Sequence, residues 1–403
     1  MAVLVLAVLA GGLLLWQQPW QQEAERASTP SIPEDAASRL TAQLRSLSAA
    51  RSERDFVEAA GSLPAARDFG RRTWASLRAV ADGTATFRYI SGADAADRPD
   101  GSTTASVEVA WTASAGSGLG ADDQRLSSLL LRVVPQADGD FSIIGAERRV
   151  GPVPVWLVGP VELSEQESTV VLRVDGGDTS QSLDAMAATA RRAVEEVVPE
   201  VGGDLTIVSP RTQDQMAEIL GQDADAVAQI AAVTARLDDA SAKQPVVVLN
   251  PQVFATMDRR AAQIVLSHEA THALTGAVGT RVANWLVEGF ADFVALRRDD
   301  APLSVSAGQV LTDVAAGRTP TALPTDADFE ATQHGLGAVY ESAWMVFRML
   351  GERYPDAEIV AFYQDVIGGE PLDDALQSSF GLTVETLTAQ WRAYLTKSAS
   401  TMS

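Results

Sequence analysis

The stretch LSHEATHALTG, residues 266–276, contains two of the three histidines in this 403-residue chain. Residues four apart project from one face of an α-helix, one turn from each other, so His268 and His272 can reach the same cation. Glu269 directly follows the first histidine, and Gly276 is typical of the position just past a helix end. The pattern His-Glu-x-x-His therefore predicts a metal site on a helix, with Glu269 placed to hold a water molecule beside the ion.

The alternative is an ordinary helix whose histidines face solvent or bond to carbonyl groups. The residues that flank the motif are apolar, which argues against an exposed helix. Two buried histidines and a buried glutamate without partners would be costly. The apolar residues that favour a metal site over an exposed helix are Ile264, Val265, Leu266, Ala270, Ala273 and Leu274.

A catalytic zinc site needs a third protein ligand and leaves one position open for water. The candidate is Glu288, sixteen residues after His272, which leaves room for a turn and a returning helix. Asp292 lies one turn further on the same face and is placed to accept the N–H of a ligating histidine, which would fix its tautomer. A solvated acidic face is the alternative, but the neighbouring Trp285 and Phe290 are apolar.

Composition narrows the class of protein and the chemistry of the site. The chain has no cysteine, which excludes disulfides, iron–sulfur clusters and thiol nucleophiles, so any transition-metal site must use histidine and carboxylate. The net charge of −22, from 31 basic and 53 acidic residues, argues against nucleic-acid binding, which requires a basic surface.

The N-terminus begins with an apolar run, Ala2 to Trp16, and has no charge before Glu23. The run is short for a spanning helix, which needs about 20 residues. A cleaved signal peptide is an alternative, but no basic segment precedes the run and no convincing cleavage site follows it. A second alternative is that the apolar run forms a buried core helix. We expect residues 1–22 to be a single membrane anchor, or a signal segment, with the bulk outside the cytoplasm, or secreted if the segment is cleaved.

The remaining chain predicts an α+β fold in two parts. A polar, proline-containing linker (residues 23–33) precedes a helical segment, and four runs of strand character then predict an antiparallel sheet: GTATFRYI, ASVEVAWTA, RLSSLLLRVVP and DFSIIGAER. Residues 34–159 would thus form a small α+β domain that loosely resembles NTF2-like or cystatin-like modules. In residues 160–398, three apolar strands alternate with helices: STVVLRVDG, DLTIVSP and QPVVVLNP. Residues 211–238 are predicted to be helical or partly inserted.

The histidine motif followed by a helix with the pattern W-x-x-E-G-x-A resembles the gluzincin metallopeptidases, and more narrowly the peptidase MA-like families with a thermolysin-like layout. The resemblance covers about residues 165–398. It implies a zincin-type domain with a small sheet, an active-site helix and a helical C-terminal half. It also implies that residues 245–250 form the edge strand of the sheet over the cleft. An ordinary core strand is the alternative, and the uninterrupted valines fit both. By the same match, His268, His272 and Glu288 would bind Zn²⁺, and Glu269 would be the general base.

The family also tends to carry A-Y-x-x-S on a later helix. This chain has Ala338-Val339-Tyr340-Glu341-Ser342, one residue longer, and the resemblance makes Tyr340 a candidate to stabilise an oxyanion. The third histidine, His334, lies in a glycine-containing stretch shortly before it and is a second candidate, although a lone loop histidine often has no such role.

The leading hypothesis from the sequence is therefore a membrane-anchored zinc metallopeptidase that acts on peptides or proteins. An alternative is a catalytically inactive zinc-binding module that recognises peptide or cell-wall ligands. The intact Glu269 favours the enzyme, since a binding module does not need that base. A third hypothesis makes residues 34–159 an interaction platform. The oligomeric state and the substrate stay open.

Overall fold

The computed structural model describes residues 32–81, 85–92, 98–121, 124–149, 151–178, 181–237, 244–330 and 335–402. The predicted anchor at residues 1–22, most of the linker and His334 lie outside these ranges. Within them, no helix combines the length and the apolar character needed to cross a membrane.

The N-terminal part consists of three helices followed by a four-stranded sheet. The helices are α1 (Glu34–Ala49), α2 (Glu53–Ala60) and α3 (Pro64–Val80). The strands are β1 (Thr86–Gly92), β2 (Thr103–Thr112), β3 (Gln124–Pro135) and β4 (Phe141–Arg148). They pair in sequence order and are antiparallel throughout. The predicted four-stranded antiparallel sheet is confirmed.

A second, five-stranded sheet follows. Its elements are α4 (Val155–Val158), β5 (Val161–Gln166), β6 (Thr169–Val174), α5 (Gln181–Val197), β7 (Leu205–Pro210), α6 (Gln213–Leu220), α7 (Ala224–Val227), β8 (Ala232–Ala235) and β9 (Val246–Leu249). The strand order is β5-β6-β7-β9-β8, with β6, β7 and β9 parallel and the two edge strands antiparallel to their neighbours.

The three strands predicted in this part correspond to β6, β7 and β9, whereas β5 and β8 are additional. The expectation that residues 245–250 form the sheet edge is wrong. The strand β9 pairs with β7 on one side and with β8 on the other. The short strand β8 arises inside the segment 211–238, which was expected to be helical or inserted, and it takes the edge position.

The five-stranded sheet is buried on both faces. Strand side chains alternate between faces, and two hydrophobic clusters of the described residues divide accordingly. Val171 and Val247 join the cluster that includes the C-terminal helices, whereas Leu172 and Val248 join the cluster of the N-terminal part. Parallel strands covered on both faces have almost continuous apolar sequences, which explains these strands' composition. The predicted domain boundary near residue 159 stays a prediction, and the N-terminal cluster extends across it.

The C-terminal half is helical, as predicted. Its helices are α8 (Pro251–Phe254), α9 (Arg259–Thr275), α10 (Asn284–Ala295), α11 (Leu303–Ser306), α12 (Gly308–Ala315), α13 (Leu336–Gly351), α14 (Asp356–Ile367), α15 (Leu372–Phe380) and α16 (Val384–Ser400). Together with the two sheets, this half confirms the α+β class.

Helix α10 lies against α9 and against α13, and a glycine allows the second contact. A Cβ atom at Gly289 would lie 2.6 Å from the carbonyl oxygen of Ala343 on α13. Glycine is the one residue without that atom, so the two backbones can approach closely here. This approach fixes the position of Glu288, the preceding residue, relative to α13.

Candidate metal centre

Three side chains converge between helices α9 and α10. The Nε2 atoms of His268 and His272 are 2.9 Å apart. The carboxylate of Glu288 lies 3.1 Å from Nε2 of His268 and 3.4 Å from Nε2 of His272. The three residues are buried, and they form the one group of three or more potential ligands that the described ranges bring together. The convergence predicted from the spacing is confirmed.

Local sequence explains why α9 presents the histidines inward. Its N-terminus is capped by Asp258, whose side chain accepts a hydrogen bond of 2.8 Å from the backbone N–H of Ala261. The helix ends at Thr275 and is followed by its C-cap, Gly276, in the left-handed conformation at φ 78°. Between these ends the helix is buried from Ala261 to His272 except at Gln263, because apolar residues surround the motif.

Asp292 fixes the orientation of the first histidine. Its Oδ1 atom is 2.8 Å from Nδ1 of His268, and both side chains are buried. A carboxylate can only accept here, so Nδ1 donates and a neutral imidazole presents its lone pair at Nε2. The lone pair of Nε2 then faces Glu288 and His272, which are also electron-rich. Such an arrangement requires a proton or a cation between the atoms.

The protonation of the site without a metal follows from the same contacts. Burial disfavours the charged imidazolium, but the carboxylates of Asp292 and Glu288 outweigh it and raise the pKa of His268 well above its usual value. Burial likewise opposes ionisation of Glu288, but the two histidines lower the pKa of its carboxyl to about 2. The centre therefore stabilises positive charge.

The donor set fits zinc. A tetrahedral zinc ion with bonds of about 2.0–2.1 Å to nitrogen and oxygen keeps its ligand atoms roughly 3.3 Å apart. The two Nε2 atoms are 2.9 Å apart, and Glu288 lies 3.1 Å from that of His268 through Oε2 and 3.4 Å from that of His272 through Oε1. These separations are close to that value, so the three side chains could hold one ion. Two histidines and one carboxylate also leave a coordination position free, which is typical of catalytic rather than structural zinc sites.

Glu269 is on α9, directly after His268 in the sequence, and its side chain is buried. Its carboxylate receives a hydrogen bond of 2.6 Å from the hydroxyl of Thr234, on the edge strand β8. Burial raises the pKa of Glu269, while the neighbouring His268 and His272 and the Thr234 hydroxyl act in the opposite direction. Sequence reasoning missed Thr234, because nothing in the sequence pairs a threonine with a glutamate 35 residues later.

Tyr340 is fully buried on α13, where its ring meets that of Phe329 edge-on at a centroid distance of 5.1 Å. Burial, together with the carboxylates of Glu288, Asp292 and Glu269, raises the pKa of its phenol well above the usual value. The hydroxyl therefore stays protonated at neutral pH, next to the carboxylates of the metal centre. His334, the second candidate to stabilise an oxyanion, lies outside the described residues.

Glu341 is a further buried carboxyl that the sequence did not single out. Its Oε2 accepts a hydrogen bond of 2.8 Å from the backbone N–H of Val310, in the first turn of α12. Burial raises the pKa of Glu341 to about 7. The contact joins α13, which carries Tyr340, to α12.

No family model matches the chain, and no curated protein is significantly similar to it. The case for a metal centre therefore rests on the geometry of His268, His272 and Glu288. Their arrangement supports a zincin-like site.

Proposed function

We propose that this chain is a zinc-dependent metallopeptidase of the gluzincin type, with the layout of the peptidase MA-like families. The observation that carries the proposal is the convergence of His268, His272 and Glu288, with Glu269 beside them and Asp292 behind His268. This is the set of residues that zinc-assisted hydrolysis of a peptide bond needs.

His268, His272 and Glu288 would hold the zinc ion. Bound there, zinc supplies Lewis acidity, which polarises the scissile carbonyl and makes water acidic enough to lose a proton near neutral pH. Asp292 would keep a proton of His268 on Nδ1, which leaves Nε2 as the nitrogen that can offer its lone pair to the ion.

Glu269 is the proposed general base and acid. Its carboxylate accepts a proton from the attacking water and passes it to the leaving nitrogen of the peptide. Its burial supports this role, because burial raises its pKa and thereby makes the carboxylate a better proton acceptor. Tyr340 is the proposed donor to the oxyanion, and its raised pKa keeps the required proton on the phenol.

The proposal extends to the organisation of the chain. We propose that residues 160–398 form the zincin-type catalytic domain and that residues 34–159 form an accessory α+β domain, loosely NTF2-like or cystatin-like. Residues 1–22 would anchor the protein in a membrane with the bulk outside the cytoplasm. Their uncharged, apolar sequence supports this. Fractionation of cells expressing the full chain, with protease added from outside, tests the anchor, which is excluded if the chain stays in the cytosolic fraction.

The activity is tested by incubating the zinc-loaded full chain, solubilised in detergent, with a diverse peptide mixture and reading the products by mass spectrometry. Glu269→Gln should abolish cleavage and keep one zinc per chain, measured by elemental analysis. Glu218→Gln is the matched control, because Glu218 is also a helical glutamate whose pKa is raised by burial, although it is only partly buried and lies outside the site. No cleavage by the wild type with one zinc bound would favour the inactive binding module instead.

A further inference from the structure

The strand β8 faces α9 with alternate side chains. Ala232 belongs to the cluster of the C-terminal helices, whereas Val233 belongs to the cluster of the N-terminal part. Because the alternation has a period of two residues, Thr234 lies on the same face as Ala232 and points toward α9. Its side chain is buried at 1% exposure, so its hydroxyl must find partners inside the protein.

Two atoms of Glu269 are among those partners. The Oγ1 atom of Thr234 is 2.6 Å from the carboxylate Oε2 of Glu269 and 2.9 Å from its backbone carbonyl oxygen. Both of these atoms are acceptors, so the single hydroxyl proton serves them. The bond to the carboxylate is the shorter of the two, and a hydroxyl that donates to a carboxylate makes one of the stronger hydrogen bonds in proteins.

A glutamate side chain has three rotatable bonds, and a base must be held in place to transfer protons efficiently. Within the described ranges, the Thr234 hydroxyl is the one side-chain group that donates a hydrogen bond to the Glu269 carboxylate. The adjacent histidines are held differently, by Asp292 and by each other. The orientation of the ligands and the orientation of the base are thus set by different elements.

We propose that Thr234 is a positioning residue, whose hydroxyl fixes the Glu269 carboxylate beside the metal centre. The inference rests on the proposed role of Glu269 as the base. In this proposal, the edge strand β8 orients the base through the Thr234 hydroxyl, while α10 supplies the third ligand. Thr234 itself does not touch the reacting atoms.

The test is a double-mutant cycle that does not need turnover. Acetohydroxamate is titrated into the cobalt-substituted full chain and its binding is followed in the visible spectrum, since it chelates the metal and offers a proton to the base. Thr234→Val keeps the shape and removes the hydroxyl. It should weaken acetohydroxamate binding about fivefold or more in the wild-type background and less than twofold in the Glu269→Gln background. Thr234→Ser should restore wild-type binding.

Thr206→Val is the matched control. Thr206 lies in the same sheet, is fully buried, and donates a hydrogen bond of the same 2.6 Å length, but to the uncharged carbonyl of Gly118. It should leave acetohydroxamate binding unchanged. Should Thr234→Val not fold, Thr234→Ala carries the same comparison without adding bulk.

If the peptide assay shows cleavage, Thr234→Val should also lower kcat at least tenfold with KM changed less than threefold, because the base acts in the chemical step. An equal loss of acetohydroxamate affinity in both backgrounds, or full kcat in Thr234→Val, overturns the positioning role. Coupling in the cycle with no cleavage by the wild type supports the positioning role and favours the inactive binding module over the peptidase. Cleavage of the peptides without coupling in the cycle supports the peptidase and overturns the positioning role.

Discussion

Replacement of Gly289 by alanine tests the packing that places the third metal ligand. The added Cβ would lie 2.6 Å from the carbonyl oxygen of Ala343 and 2.9 Å from Cδ2 of Phe347, whereas ordinary contacts begin near 3.4 Å. Helices α10 and α13 must therefore separate by close to the difference, about 0.8 Å, because a backbone carbonyl cannot move aside as a side chain does.

Overpacking of this kind costs about 1–3 kcal/mol, and the better helix propensity of alanine returns up to about 1 kcal/mol. We expect Gly289→Ala to lower the free energy of unfolding by about 1–2 kcal/mol in urea denaturation of the metal-free chain. Zinc affinity, measured by competition with a chromophoric chelator, should also fall, because the displaced helix carries Glu288 as the next residue.

Gly308→Ala is the control, since Gly308 is the first residue of α12 and, among the described residues beyond its chain neighbours and its own helix backbone, no atom lies within 4 Å of the Cβ it would gain. Its stability and zinc affinity should match the wild type or exceed it slightly. Wild-type stability and zinc affinity in Gly289→Ala would refute the inference that this close helix contact positions Glu288.

Three further predictions concern the carboxyl groups and the two-sided sheet. Asp292→Ala should weaken zinc binding about 10- to 100-fold in a chelator competition, because His268 loses the acceptor that fixes its tautomer. Glu341 has a pKa of about 7 in the folded protein, against an ordinary value of 4.5. Its carboxyl therefore binds a proton more tightly in the folded state than in the unfolded state. The stability that this proton contributes is lost as the pH rises from 4.5 to about 7. Urea titrations at several pH values should show this loss, up to about 3 kcal/mol, in the wild type relative to Glu341→Gln. A chain that lacks residues 34–158 should aggregate on expression, because Leu172, Val248 and their neighbours on one sheet face lose their cover, and a soluble, zinc-binding fragment would contradict the shared core.

The ligands were predictable because each depends on a short spacing along a helix. His268 and His272 are one turn apart, and Glu288 and Asp292 are one turn apart on the next helix. An apolar environment marks both helices as buried, which brings their polar residues together. Spacing and burial were therefore sufficient to predict that His268, His272 and Glu288 lie together.

The edge of the sheet was not predictable in the same way. The strand β8 has four residues, Ala232–Ala235, and pairs with β9, which follows it by about ten residues. So short an apolar run fits a helix as well as a strand, and its pairing is decided by the free edge of β9 rather than by its own sequence. Thr234 could not be found for the same reason, since its contact with Glu269 exists only once the edge strand is in place.

The two-sided burial of the five-stranded sheet has a consequence for the order of events during synthesis. Residues 34–149 leave the ribosome before any strand of that sheet, and their own antiparallel sheet is complete by Arg148. Proteins generally fold from the N-terminus as they are made. The first sheet can thus serve as a template on which β6, β7 and β9 lay down one face. Helix α9, with the histidines, and α10, with Glu288, follow all of these strands in the sequence, so the candidate metal ligands would come together only after the first sheet is in place.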